Sequence, residues 1–312
     1  MRNWIAVQTK SHAARTTHFS KLSGAGTQPI RVADLVGGDS AGAVRAHDLL
    51  WQGRRERPQA ILKASHQVEL FDAALGLELV SAIPGIATLP PVAPGNRDGR
   101  QYAQALRDET AHWIQQGKFV VTLGGEHTAI VGAIQAHCEA WEDLTVLQLD
   151  AHSDLRDEYD GSPWNHACAM ARVLDFHSHI VQMGIRSQCR EEREKTEVLR
   201  TPVIYAHQIL TAPHGEESWI KRVIGACRKR VYVTFDCDVF DPAVIPATGT
   251  PEPGGLNWQH VDGLFRRLCN VRDVVGLDIS ELAPIPGIHH PQFSVAKLLY
   301  RFLGIRFQDA RG

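Results

Sequence analysis

Beyond residue 100 the chain alternates between two kinds of apolar spacing. Apolar residues three and four apart, the period of a helix with one buried face, mark Gln101–Gln116, Thr128–Trp141, Arg190–Leu199, Glu216–Arg228, Trp258–Asn270 and Ser294–Leu303. Between them lie short runs that are apolar at nearly every position: Phe119–Leu123, Leu144–Leu149, Ile180–Ile185, Val203–Tyr205, Val231–Phe235 and Val274–Leu277. A strand that is apolar on both faces is buried on both faces. The alternation therefore predicts an α/β protein with a mostly parallel sheet sandwiched between helices. In such sheets functional groups collect beyond the carboxyl ends of the strands.

The front of the chain is less regular. Residues 1–58 mix Gly, Ser, Thr, Arg and Ala without a clear period, apart from a helix expected around Ala41–Trp51. A helical pattern covers Arg57–Leu79, and Pro84–Pro94, with four prolines, reads as a loop. No internal repeat, low-complexity tract or linker stands out. Residues 1–312 are expected to form one domain, with 1–56 an atypical N-terminal segment.

Composition narrows the class. The hydrophobic fraction of 44% is enough for a real core. Lys and Arg number 33 against 35 Asp and Glu, and no basic patch interleaves with aromatics, which sets nucleic acid aside. No run approaches the roughly 20 apolar residues of a membrane span, and the N-terminus lacks the apolar stretch of a signal peptide. The six cysteines are scattered singly, without a CxxC pair, which excludes a zinc ribbon and fits a reduced, cytoplasmic setting.

Candidate chemistry sits after three of the strands. One is followed by Gly124-Gly125-Glu126-His127, another by Asp150-Ala151-His152-Ser153-Asp154, a third by Asp236-Cys237-Asp238. In near-extended chain, residues two apart project to the same side, so each fragment can converge its acids and imidazoles. A lone Asp-x-Asp or Asp-x-His is commonly a helix cap or a solvated loop. Three such fragments at one rim are another matter. Four carboxylates within a few ångströms would repel and raise one another's pKa values, and divalent cations remove the conflict. Carboxylates with some imidazole and no thiolate suit harder ions, Mn²⁺ especially. Six ligands suit two ions sharing bridging carboxylates, and a two-metal site makes a nucleophile from water at neutral pH.

These fragments, with Met183-Gly-Ile-Arg186, Phe235-Asp-Cys-Asp-Val-Phe-Asp-Pro242, Pro246-Ala-Thr-Gly-Thr-Pro-Glu-Pro-Gly-Gly255 and Gly276-Leu-Asp-Ile-Ser-Glu-Leu-Ala-Pro284, resemble the ureohydrolase family of arginases and agmatinases over roughly residues 57 to 305. The resemblance implies a three-layer α/β/α arginase-like fold and a binuclear Mn²⁺ site. It implies Asp150 and Asp236 as bridging ligands, His127 and Asp154 completing one ion, and His152 and Asp238 the other. It implies hydrolysis of a guanidinium to urea and an amine. Glu281 would pair with the planar guanidinium. His166 would carry a proton to the leaving amine. Asn165 and Thr250 would contact substrate, and Thr250 and Asp278 would orient ligands.

The loop Leu155–Met170 is similar to the agmatinase branch rather than to arginases. The implied substrates are small cationic guanidino compounds, agmatine or aminopropylagmatine, with a place in polyamine biosynthesis. Asp157, Glu158 and Asp160 are candidates for attracting the distant amine, and equally for a solvated acidic loop. Arg156 or Arg186 would instead favour an acid such as guanidinobutyrate or formiminoglutamate. A zinc deacylase and a non-catalytic relative remain open as rival readings of the same residues. The front departs from the family pattern, with its usual first strand replaced by something unassigned around Ile30–Asp39. Family resemblance implies a homotrimer or homohexamer.

Overall fold

The computed structural model describes residues 4–8, 57–79, 83, 85–92, 97–212 and 218–308. Its centre is an eight-stranded sheet in the order β4-β1-β5-β10-β9-β6-β7-β8. The strands are β1 (Trp4–Gln8), β4 (Ile86–Leu89), β5 (Lys118–Leu123), β6 (Leu144–Leu149), β7 (Ile180–Ile185), β8 (Val203–Tyr205), β9 (Arg230–Asp236) and β10 (Asp273–Ser280), while β2 (Phe71–Asp72) and β3 (Leu77–Glu78) form a separate hairpin. Every pair from β5 to β8 is parallel, and β1 runs antiparallel to both of its neighbours.

The helices are α1 (Arg57–Ser65), α2 (Gly99–Gln115), α3 (Val131–Ala140), α4 (Ala169–Leu174), α5 (Arg190–Val198), α6 (Ala206–Leu210), α7 (Ser218–Ala226), α8 (Trp258–Val271) and α9 (His290–Phe307). Successive residues of a strand serve opposite layers. In β9, Val231, Val233 and Phe235 join the core under α1, α7, α8 and α9, whereas Tyr232 joins the core under α3 and α4. In β5, Phe119, Val121 and Leu123 face the first layer and Val120 meets Tyr102 and Leu106 of α2. This is the expected three-layer α/β/α arrangement. Gly132 lets α3 lie against α2, since a Cβ there would stand 1.9 Å from the Ala103 carbonyl oxygen.

Three expectations change. The helix over Arg57–Leu79 stops at Ser65, and the β2–β3 hairpin follows. Asp72 shapes the hairpin's turn: its carboxylate accepts the backbone N–H of Ala74 and Leu75, and Gly76 takes φ +65°. The expected loop Pro84–Pro94 contains β4, a four-residue edge strand of the kind that prolines permit because one side needs no partner. The first sheet strand is Trp4–Gln8, which the sequence pattern did not separate from its surroundings. The segments Ala41–Trp51 and Ile30–Asp39 lie outside the described residues. Elsewhere the helix Thr128–Trp141 begins with a 3₁₀ turn at His127–Ile130, and α4 and α6 are additions. All six cysteines are free, and no helix among the described residues is long and apolar enough to cross a membrane.

Candidate metal centre

Four adjacent strands, β5, β10, β9 and β6, deliver the candidate residues to one rim. Residues 124–127 follow β5, Glu281 follows β10, Asp236 ends β9 with Asp238 just beyond, and Asp150 follows β6. The strands run parallel in this order, so their carboxyl ends meet at the same edge.

Two groups of potential ligands form there, His127 with Asp150 and Asp154, and Asp150 with His152 and Asp238. Asp150 belongs to both. His127 Nδ1 lies 3.2 Å from Asp150 Oδ2, 3.0 Å from Asp154 Oδ2 and 3.4 Å from Asp236 Oδ2. His152 Nδ1 lies 2.9 Å from Asp238 Oδ2 and 3.7 Å from Asp150 Oδ1. Asp236 is outside both three-residue groups, but its Oδ2 faces the same ring nitrogen of His127.

Backbone amides fix the carboxylates. His152 N donates to Asp150 Oδ1, Ala151 N to Asp238 Oδ1 and Asp238 N to Asp236 Oδ1, at 2.6, 2.9 and 2.9 Å. Asp154 takes φ +53°, an unusual conformation for a residue with a side chain, and Glu281 takes +58°. Gly184 takes φ +89° and leaves room where a Cβ would come within 2.9 Å of the Asp150 carbonyl oxygen.

The charge arrangement calls for positive charge between these groups. Thr234 donates its hydroxyl proton to Asp278 Oδ1 at 3.0 Å, so the same oxygen can only accept from His127 Nε2 at 2.9 Å. Nε2 therefore carries the ring proton, and a neutral His127 presents a bare Nδ1 to three carboxylate oxygens. That buried atom has no hydrogen-bond partner. Either a proton or a cation must occupy the space in front of it.

Titration tells the same story. Burial, then Asp238, Asp150 and Glu281, hold Asp236 well above the usual carboxylate range. Burial and Asp150 push Asp154 up to about 7. Burial alone would raise Asp150 too, but His127 and His152 outweigh it and hold that carboxyl low. Burial would lower His152, yet Asp150 and Asp238 push it up to about 11. Without a cation these groups must share protons. The donor set, carboxylates and imidazoles without thiolate, fits hard divalent ions.

A family model describing the arginase family matches residues 49–304. The chain belongs to the arginase family. Among relatives of this arginase-family chain, the N(1)-aminopropylagmatine ureohydrolase of Synechocystis sp. is 38% identical over 259 residues, covering 81% of this chain and 83% of that protein. Its counterpart in Thermus thermophilus is 35% identical, covering 81% and 84%. The crystal structure of agmatine ureohydrolase of Thermoplasma volcanium superposes with a TM-score of 0.74 at 32% identity, covering 86% of this chain and 88% of that one. Arginase from Bacillus cereus, at 21% identity and a TM-score of 0.69, shares the fold.

The remaining predicted residues take up distinct places around this arginase-family site. Glu281 Oε1 accepts the backbone N–H of His127 at 2.9 Å, which sets its carboxylate beside the ligand cluster. His166 and Thr250 line a cleft of about 340 Å³ with His152 and Asp154. His166 Nδ1 is 3.8 Å from Glu126 Oε1, and its ring meets Tyr159 edge-on. Asn165 is buried and caps the turn at His166–Cys168 by accepting Ala167 N, and it is not among the cleft-lining residues. Asp278 stands behind His127 through Thr234.

Sequence reading passed over several participants. Gln148 donates to Asp150 Oδ2 at 2.8 Å and to the His152 carbonyl at 3.1 Å, and Gln182 donates to Gln148 Oε1 and to the Ser153 carbonyl. Gln148, Gln182 and Thr234 are fully buried. A polar residue inside an otherwise apolar strand was the available signal, since burial without a partner is costly. Arg186 is spent on backbone: its guanidinium donates to the carbonyls of Asp238, Phe240 and Glu252 at 2.7, 3.2 and 2.7 Å. It is thus committed to tying two loops together and is a poor candidate for binding an acidic substrate.

Proposed function

We propose that this chain is a manganese-dependent ureohydrolase that cleaves agmatine to putrescine, or an aminopropylagmatine to spermidine, releasing urea. The observation that carries the reading is the pair of ligand groups sharing Asp150, with Glu281 set beside them. The names of the most similar relatives favour the same substrates. His127, Asp154, Asp150 and Asp236 would hold one ion, and His152, Asp238, Asp150 and Asp236 the other. Two bound manganese ions supply a nucleophile from water at neutral pH.

The chain's own residues do the rest. Glu281 offers a carboxylate to a planar guanidinium, which can meet it through two parallel N–H bonds and so present its central carbon to the ligand cluster. A cation beside two divalent ions is unfavourable unless carboxylates surround it, and Glu281 with the Asp150–Asp236 pair meets that need. Once a water-derived oxygen has added to that carbon and made it tetrahedral, collapse to urea breaks the bond to the alkyl-bearing nitrogen. His166, held near Glu126 at the cleft, hands that nitrogen a proton so that it leaves as an amine. Thr250 faces the substrate from the opposite loop.

A homotrimer or homohexamer in the cytoplasm, where six free thiols stay reduced, completes the reading. Arg156 also lines the cleft, with its guanidinium 5.1 Å from the Tyr159 ring centre, and favours a second reading in which the substrate ends in a carboxylate, as guanidinobutyrate does. The test is urea release by Mn²⁺-loaded protein from agmatine, aminopropylagmatine, arginine, guanidinobutyrate and guanidine. Release from the first two is expected. Urea from none of the five overturns the proposal, and release from guanidinobutyrate alone replaces it with the second reading.

A further inference from the structure

If the guanidinium sits at Glu281 beside the ligands, the cleft lined by His152 and Asp154 is the adjoining space open to the far end of the substrate. Three carboxylates line that cleft: Asp154, Glu192 and Glu252. Asp154 faces His127 among the ligands. Glu192 is buried, and its two oxygens accept the backbone N–H groups of Leu155 and Cys189 at 2.9 and 2.8 Å. Glu252 is different. Its side chain is 37% exposed, and Oε1 stands 3.9 Å from His152 Nε2, beyond hydrogen-bond distance. Among the described residues lining the cleft it is the carboxylate left available for a ligand. The acids singled out from sequence are elsewhere: Asp157, Glu158 and Asp160 do not line the cleft, and Lys195 pairs with Asp157 at 2.5 Å.

Glu252 is also held in place. Arg186 donates to its carbonyl oxygen through Nη2 and Nε at 2.7 and 3.2 Å, and Asp241 Oδ2 accepts the N–H groups of Gly254 and Gly255. Its distance from the guanidinium site is bounded. Gly249 lies beside Glu281, since a Cβ there would be 3.9 Å from Glu281 Oε2. Glu252 comes three residues later, a span of at most about 10 Å even in fully extended chain. The two glutamates thus sit on neighbouring segments, and carboxylates so placed, one beside the ligand cluster and one at the cleft, suit a molecule with a guanidinium at one end and an ammonium at the other.

We propose that Glu252 is the specificity residue that binds the substrate's distal ammonium. The assignment rests on the ureohydrolase reading above. The experiment compares Mn²⁺-loaded wild type with Glu252→Gln on agmatine, on aminopropylagmatine and on butylguanidine, which has the chain of agmatine without the ammonium. It adds bound-metal analysis and calorimetric titration with putrescine. A charge-assisted contact at a partly exposed site should raise KM for both amines about tenfold or more while kcat changes much less. The preference for agmatine over butylguanidine should fall by the same factor, putrescine should bind more weakly, and two manganese ions should remain. Parallel losses of kcat on agmatine and butylguanidine, or loss of metal, would mean that Glu252 acts through His152, which overturns the assignment. An unchanged KM for agmatine in an active enzyme overturns it alone. A wild type that releases urea from none of the three overturns the ureohydrolase reading and this assignment with it.

Discussion

Nε2 of His127 lies 2.9 Å from the hydroxyl oxygen of Thr234, and that hydroxyl donates to Asp278 at 3.0 Å. Thr234 and Asp278 are direct partners across the parallel pair β9–β10, so the relay is built into the sheet register. Its consequence is a ring whose other nitrogen faces the carboxylates, free to coordinate a cation or, without one, to carry a proton toward Asp150 and Asp154. Thr234→Val keeps the shape and removes the hydroxyl. It is expected to weaken Mn²⁺ binding about 10- to 100-fold with the fold retained. Metal-binding titrations beside circular dichroism check this, and wild-type affinity would show that the relay does not orient His127.

Glu281→Gln keeps an oxygen for the His127 N–H but removes the charge that would face a guanidinium. About a hundredfold loss of kcat/KM on agmatine is expected with bound metal unchanged. Loss of metal together with activity would instead make Glu281 a support for the ligand cluster.

Asp238 accepts from Ala151 N and faces His152, so Asp238→Ala removes a proposed ligand and leaves His152 without that partner. Elemental analysis after Mn²⁺ loading should find fewer than two ions per chain, and turnover should fall at least about a hundredfold. Full activity in this variant would remove Asp238 from the centre.

Asp72 is buried and accepts from Arg301 at 2.9 and 3.0 Å, with Lys297 at 3.3 Å. Burial alone would raise its carboxyl, but Arg301 and Lys297 outweigh burial and hold it below the ordinary value of 3.8. A carboxyl lowered by folding contributes stability that is present above the unfolded pKa and disappears as pH falls through the folded value. Asp72→Asn should therefore lower stability at neutral pH, by roughly 1 kcal/mol. The gap in Tm should close as pH drops below about 4. A gap that stays constant to pH 3, read by thermal melts of both proteins, would show that the ion pairs are not its source.

The sheet and its site were legible to different depths. Strands such as Leu144–Leu149 announced themselves because burial on both faces forces apolar residues at every position. The acids and histidines after them stood out because the rim of a parallel sheet has few other uses for such a cluster. Where a helix was expected through Leu79 the chain makes a hairpin instead, its turn formed by Asp72 with Ala74 and Leu75 and anchored by Arg301, 229 residues away in the chain. Apolar spacing contains no trace of that pairing.

Strand–helix alternation, the end of the sheet where chemistry collects and a donor set suited to a hard cation were all readable from the residues alone. These follow from side-chain chemistry and from periods of two and 3.6, which are local. Packing alone settles that His127 is backed by Thr234 and Asp278, that Arg186 spends its donors on backbone carbonyls, and that Glu252 rather than Asp157 faces the cleft. Each depends on which distant segments lie side by side, and hydrogen bonds a few ångströms long form only after packing has brought those segments together.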